Sequence, residues 1–146
     1  IRIIIYRMAS RNDIIRWSDL IGEATPLEDI GDKLEGLPAD EQGRAIHSYL
    51  ESEFSDIEDL RWENPVVFQD EDGDWRQRKY DAYDGNFVYE FKTKWSQSMD
   101  HEYLPQDDHI SQIQDYLKAT STDWGVLVYI SRDEFEVMEY LVSSDE

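Results

Sequence analysis

Ile46, Leu50 and Phe54 recur at every fourth position with Tyr49 beside them, which predicts an amphipathic helix from Pro38 to about Phe54. Ahead of it, Ser18 reads as the cap of a short helix over 19–23. The stretch from there to Pro38 reads as loop-rich, because Pro26, Gly31 and Gly36 punctuate it. Strand chemistry follows. Val66, Val67 and Phe68 stop before the turn-forming run Asp70 to Asp74, and then Trp75 to Tyr83 and Phe87 to Thr93 flank Asp84-Gly85-Asn86 in the pattern of a β-hairpin. A second helix starts after Pro105 and reaches about Lys118. Trp124 to Ile130 is an almost unbroken apolar run, the mark of a buried strand, and Phe135 to Val142 reads as its partner across Ser131-Arg132-Asp133. The order α, β, β, β, α, β, β gives an α/β fold, a mixed sheet flanked by helices.

Composition narrows this picture. A chain of 146 residues forms one domain, residues 1–146, in which 1–38 is a lead-in and 39–146 the core. Five Trp, nine Tyr and five Phe supply enough large apolar surface for collapse, which argues against disorder. No apolar run approaches the roughly 20 residues that cross a bilayer, so the expectation is a cytoplasmic protein with no membrane partner. With zero Cys, the chain offers no disulfide, no thiol nucleophile and no cysteine ligands for an iron-sulfur cluster.

Thirty-four acidic against fourteen basic residues give a net charge of −20, a self-repulsion that high salt would screen. This pattern points to a halophile. It also argues against nucleic acid, whose phosphates demand a basic footprint, except between positions 76 and 94. There Arg76, Arg78, Lys79, Lys92 and Lys94 meet only Asp81, Asp84 and Glu90, leaving +2 locally and −22 elsewhere. Cross-strand charge pairing in a hairpin accounts for that cluster equally well.

The chemistry concentrates in the same segment. Glu90 and Lys92 alternate on one strand and share a face. If the loop is Gly85-Asn86, Asp81 stands opposite Glu90; if it is Asp84-Gly85, Asp81 stands opposite Val88 on the same face. In both registers two carboxylates and an ammonium meet; a three-residue loop would send Asp81 to the opposite face unless a bulge corrected it. Adjacent carboxylates suit a hard divalent cation, Mg²⁺ or Mn²⁺, and a nearby Lys suits phosphodiester hydrolysis. His47 and Glu51 lie one turn apart on the first long helix; they read as a surface pair, or His47 as a nitrogen ligand. On the second helix His109, Gln112 and Tyr116 form a polar stripe beside the apolar stripe Ile110, Ile113 and Leu117.

These pieces stand in a familiar order. Gly43 to Glu51 resembles the G-x-x-x-H-x-x-x-E helix of RecB-type nucleases in the PD-(D/E)XK superfamily. Asp81 followed by Glu90-Phe91-Lys92-Thr93 resembles that family's metal-binding Asp and E-x-K-T strand, and His109 to Tyr116 its H-x-x-Q-x-x-x-Y helix. Gly125 to Tyr129 is similar to the strand that follows. The resemblance, which covers about Gly43 to Tyr140, implies a restriction-endonuclease-like core of order αβββαβ with a further C-terminal strand. It implies His47, Asp81, Glu90 and the Phe91 carbonyl as metal ligands and Lys92 as catalytic. Gln112 and Tyr116 then handle substrate. Beside the resemblance, the positions of Arg76, Arg78, Lys79 and Lys94 suit them to guide the strand, and Trp95, just beyond the active strand, reads as a stacking platform for an unpaired base or as a cap on the core.

The implied activity is hydrolysis of DNA, single-stranded for preference, in repair, recombination or CRISPR adaptation, with protein partners in such a complex. The nearest branch is the CRISPR-associated exonucleases and their stand-alone viral relatives, and the acidic composition adds a haloarchaeon or its virus as source. Members of that branch commonly carry four cluster-binding cysteines, which this chain lacks. It has Tyr80 where the superfamily places Pro, and the short gap from Asp81 to Glu90 leaves Asp84 as a second candidate ligand. Two other readings stay open: a catalytically silent binding or assembly module on the same fold, and an acidic DNA mimic.

Overall fold

The computed structural model describes residues 5–7, 14–63 and 65–144, so residues 1–4 and 8–13 of the expected lead-in lie outside the described residues. Strand β1 (Ile5–Arg7) precedes helices α1 (Trp17–Ala24), α2 (Pro26–Leu34) and α3 (Ala39–Glu53). Short β2 (Arg61–Trp62) leads to β3 (Pro65–Gln69), β4 (Trp75–Lys79), β5 (Ala82–Tyr83) and β6 (Phe87–Lys94); α4 (Asp107–Thr120), β7 (Trp124–Ser131) and β8 (Val137–Ser143) complete the chain. Six strands form one mixed sheet in the order β1-β8-β7-β6-β5-β2, and β3 and β4 form a separate two-stranded ribbon. Among the described residues, only β6 and β7 run parallel, joined by the α4 crossover.

Alternation along the central strands separates two cores. Phe87, Tyr89 and Phe91 of β6 join Val126, Val128 and Ile130 of β7 beneath α1 and α3. Val88 and β7 residues Leu127 and Tyr129 face the opposite way, against Ile113, Tyr116 and Leu117 of α4. Trp17, fully buried, anchors the first core edge-on to Phe91 at 4.8 Å and Phe54 at 5.4 Å between ring centres. Two glycines set how closely helices approach. A Cβ on Gly43 of α3 would meet Thr93 Oγ1 at 3.0 Å, and one on Gly125 of β7 would meet Ile113 Cδ1 at 2.7 Å. Each marks a place where a side chain of one layer packs directly on the glycine backbone of the other.

Three sequence expectations change. The loop-rich segment before Pro38 contains α2, with Pro26 at its N-terminus and Gly36 at φ 79° just past its end; those residues bound a helix rather than interrupt one. Ser18 lies inside α1 and does not cap it. Glu139 of β8 does that work across the fold, accepting the Trp17 N–H at 2.6 Å and the Ser18 hydroxyl at 3.1 Å. The segment from Trp75 to Tyr83 is not one strand. Its first part pairs with β3, and only Ala82 and Tyr83 pair with β6, because the buried Tyr80 carries the chain from the ribbon to the main sheet.

Candidate metal centre

The register of β5 on β6, Ala82 with Tyr89 and Tyr83 with Val88, extends to place Asp81 opposite Glu90. This is the arrangement with Gly85-Asn86 as the loop; Gly85 has φ 93° and Asp84 N–H bonds the Phe87 carbonyl at 3.3 Å. Asp84 itself is spent on the turn, accepting from Asn86 N at 2.9 Å, Phe87 N at 2.8 Å and the Tyr89 hydroxyl at 3.1 Å. It does not line the cleft, which leaves Asp81 as the candidate ligand.

Strand pairing ends at Ala82, and the two carboxylates replace it. Asp81 Oδ2 accepts the Phe91 N–H at 2.8 Å, and Glu90 Oε1 accepts the Asp81 N–H at 2.9 Å. Each acid thus locks one oxygen on backbone and keeps the other for the cleft. Asp81 Oδ1 lies 3.7 Å from His47 Nδ1, and Glu90 Oε2 lies 3.9 Å from Lys92 Nζ. Since N–H and C=O of one strand residue point to the same edge, the Phe91 carbonyl also faces this open end. His47 reaches it one turn after Gly43, where α3 sits tight on Thr93.

A cleft of about 610 Å³ holds His47, Asp81, Glu90, Phe91, Lys92 and Gln112. Glu90 is only 3% exposed. Burial first, then the neighbouring Asp81, pushes its carboxyl well above the ordinary value. Burial raises Asp81 too, while His47 pulls it back. Two acids that resist ionisation side by side, with an imidazole beside them, form a donor set that a divalent cation relieves. Asp81 Oδ1 and His47 Nδ1, 3.7 Å apart, stand wider than the ~3 Å spacing of adjacent ligands about 2.1 Å from a hard cation.

Among the described residues, Asp70, Asp72 and Asp74 are the one group of three His, Asp or Glu side chains whose ligand atoms all lie within 4.8 Å of one another; His47, Asp81 and Glu90 line one cleft but do not close to that spacing. That turn is a poorer candidate. Asp70 already accepts from Asp72 N, Asp74 N and Arg76 Nε, and the site is open to solvent on the ribbon tip.

Lys92 is held from the helix side. Its ammonium donates to Gln112 Oε1 at 2.6 Å, and Gln112 Nε2 donates to the Tyr116 hydroxyl at 3.2 Å. An ammonium only donates, which fixes the amide oxygen toward Lys92. Tyr116 is 2% exposed, so it cannot meet a polymer directly; it steadies Gln112. Burial, then Glu90, pushes its hydroxyl up to about 12 and keeps it protonated. His109, a cleft residue hydrogen-bonded through Nδ1 to Tyr129 at 2.8 Å, is held below the usual imidazole value by burial and by Lys92.

The expected strand-guiding residues divide. Lys79 and Lys94 line the cleft. Arg78 lies in a neighbouring groove that shares Lys92, His109 and Gln112 with it. Arg76 is clipped to Asp70 at 2.8 Å and lines neither. Trp95 is exposed beyond the end of β6, outside the cleft, as is Glu51 one turn past His47. Glu63 is a cleft residue that sequence reading missed. Its N–H bonds the Asp81 carbonyl at 3.0 Å, a consequence of β2–β5 pairing that no motif announces.

The chain matches no protein-family model and no curated protein. It is similar to a solved structure, that of SSO0001, with 24% identity and a TM-score of 0.60 over 94% of this chain and 71% of that one. At this identity the likeness shows the fold: a mixed α/β sheet flanked by helices. Among the described residues, no helix is long and apolar enough to cross a membrane.

Proposed function

We propose that the protein is a divalent-metal-dependent nuclease hydrolysing DNA phosphodiester bonds. The observation that carries this reading is the meeting of His47, Asp81, Glu90 and Lys92 in one cleft, from α3, the β5 approach and β6. His47, Asp81, Glu90 and the Phe91 carbonyl would hold Mg²⁺ or Mn²⁺. When bound, the ion supplies Lewis-acid polarisation of a phosphoryl oxygen and activation of water. The chain's own part is positioning. Lys92, fixed by Gln112 and facing Glu90, orients the attacking water and offset the negative charge that develops on the phosphoryl group.

Lys79 and Lys94 at the cleft favour a polyanion in a chain that otherwise repels one. The net charge of −20 supports a halophilic setting, in which stacking and metal contacts outlast screened phosphate attraction. Single-stranded DNA and a role in repair, recombination or CRISPR adaptation with protein partners belong to the same reading.

The test uses end-labelled single- and double-stranded DNA in molar KCl with Mg²⁺, Mn²⁺ or EDTA. Cleavage is expected with metal, is lost in EDTA, and is lost in Glu90→Gln and Lys92→Ala variants that keep the native circular dichroism. Undiminished cleavage by both variants overturns the assignment.

A further inference from the structure

The β3–β4 ribbon stands apart from the main sheet, and its two faces differ. Val66 and Phe68 turn inward and Phe68 is buried, so the ribbon is fixed to the body of the domain. The register pairs Pro65 with Lys79, Val67 with Gln77 and Gln69 with Trp75, which places Lys79, Gln77 and Trp75 in one row on the outer face. Successive members stand about 6.8 Å apart. All five residues of β4 are exposed and none is acidic, within a chain of −20; Lys79 is the cation of the outer row, while Arg76 and Arg78 share the face of Phe68 and Val66. Trp75 is 70% exposed, and Val67 on the adjacent diagonal is 58% exposed. The row is anchored at one end in the catalytic cleft, which Lys79 lines.

The tip is stiff. Asp70 Oδ1 accepts the N–H groups of Asp72 and Asp74 at 3.0 and 2.9 Å, and Arg76 Nε clips Oδ2 at 2.8 Å. A large aromatic held outward on a rigid ribbon loses little freedom when a flat group stacks on it. The acidic turn beyond Trp75, with Glu71, Asp72 and Asp74, repels phosphate and so ends a polyanion's path there.

We infer that the outer face of this ribbon is a single-strand-binding finger, in which Trp75 stacks on an unpaired base and Gln77 and Lys79 lead the strand into the cleft. This rests on the nuclease reading and gives its unpaired strand a docking surface outside the cleft, one a duplex cannot use because its base faces are covered. A second copy of the chain is the rival occupant of the exposed Trp75–Val67 patch. Two bodies of −20 each oppose that association, and the row's continuity with the cleft favours a strand.

The experiment measures anisotropy of a labelled oligothymidylate and of a duplex in molar KCl. It uses the Glu90→Gln chain with Mn²⁺ and the native chain in EDTA, so that neither cuts. Trp75→Ala is expected to weaken oligothymidylate binding by at least about fivefold, the lower end for loss of one stacked base. Trp75→Phe should restore most of it, and duplex binding and Mn²⁺ affinity should not change. Equal binding by Trp75→Ala, no binding in either background, or loss on duplex and single strand alike overturns the finger. So does a sedimentation-detected dimer that Trp75→Ala abolishes while oligonucleotide binding stays intact. Metal-dependent cleavage by the native chain is scored separately: if it stands while Trp75→Ala binds normally, the finger alone fails, and if it is absent the nuclease reading fails.

Discussion

Replacing Gln112 with Ala isolates the part of the centre that acts on Lys92 alone. The 2.6 Å contact to Gln112 Oε1 is a charge-assisted hydrogen bond, a type that contributes about 1.5–3 kcal/mol. Gln112 is only partly buried, so water replaces some of that in the variant, and the lower half of the range applies. At about 1.4 kcal/mol per tenfold, kcat should fall roughly ten- to fortyfold. KM for DNA and Mn²⁺ affinity should stay near native values, since Gln112 is not among the metal's candidate ligands. Tyr116→Phe removes the neutral 3.2 Å bond behind it and should cost about 0.5–1.5 kcal/mol, roughly two- to tenfold. The order Lys92→Ala, Gln112→Ala, Tyr116→Phe, from most to least impaired, is what a relay from Tyr116 through Gln112 to Lys92 requires. Single-turnover cleavage with saturating Mn²⁺ measures it. A Gln112→Ala rate within twofold of native, with metal binding intact, refutes the claim that this contact positions the ammonium.

Because burial raises Asp81 and Glu90 in the metal-free fold, the native state holds protons that the unfolded chain, near 3.8 and 4.5, has released. Their contribution to stability in EDTA therefore declines as pH rises from those values through the raised ones. Metal affinity rises over the same window; melting curves of native and Glu90→Gln protein from pH 4 to 8, with and without Mn²⁺, should show the native loss shrinking in both the variant and the metal-bound protein, and superimposable native and variant profiles would count against it. Gly125→Ala drives a Cβ against Ile113 and Leu117 at 2.7–3.2 Å and should destabilise by about 1–3 kcal/mol in urea titration; an unchanged midpoint would show that α4 yields freely. At −20, the melting temperature should climb as KCl goes from 0.1 to 2 M, and a flat profile would remove charge repulsion from the account.

The centre was legible in sequence because a strand's period of two needs few assumptions: Glu90 and Lys92 share a face wherever β6 lies, and one glycine-bearing loop sets Asp81 opposite Glu90. Helical spacing likewise placed His47 and Gln112 on their own helices. The approach of those helices to the sheet depends on Gly43 and Gly125, whose role emerges only from the packed structure. Glu63 had no local signal, since a two-residue strand pairing brings it in. The ribbon was misread as part of one long hairpin because Lys79-Tyr80-Asp81 carries neither Gly nor Pro at the point where the chain changes sheets. The exposure of Trp75 has no local signal either, as strand chemistry does not reveal which face of a ribbon is left uncovered.

Calorimetric titration of Mn²⁺ into the native chain and into Asp81→Asn and Glu90→Gln tests the centre most directly. The account predicts one saturable site in the native protein, weakened by at least tenfold in each variant, with heats that vary with the buffer's ionisation enthalpy toward lower pH because protons leave as the ion enters. Native-like binding in both variants, or no binding by a folded native chain, would contradict it.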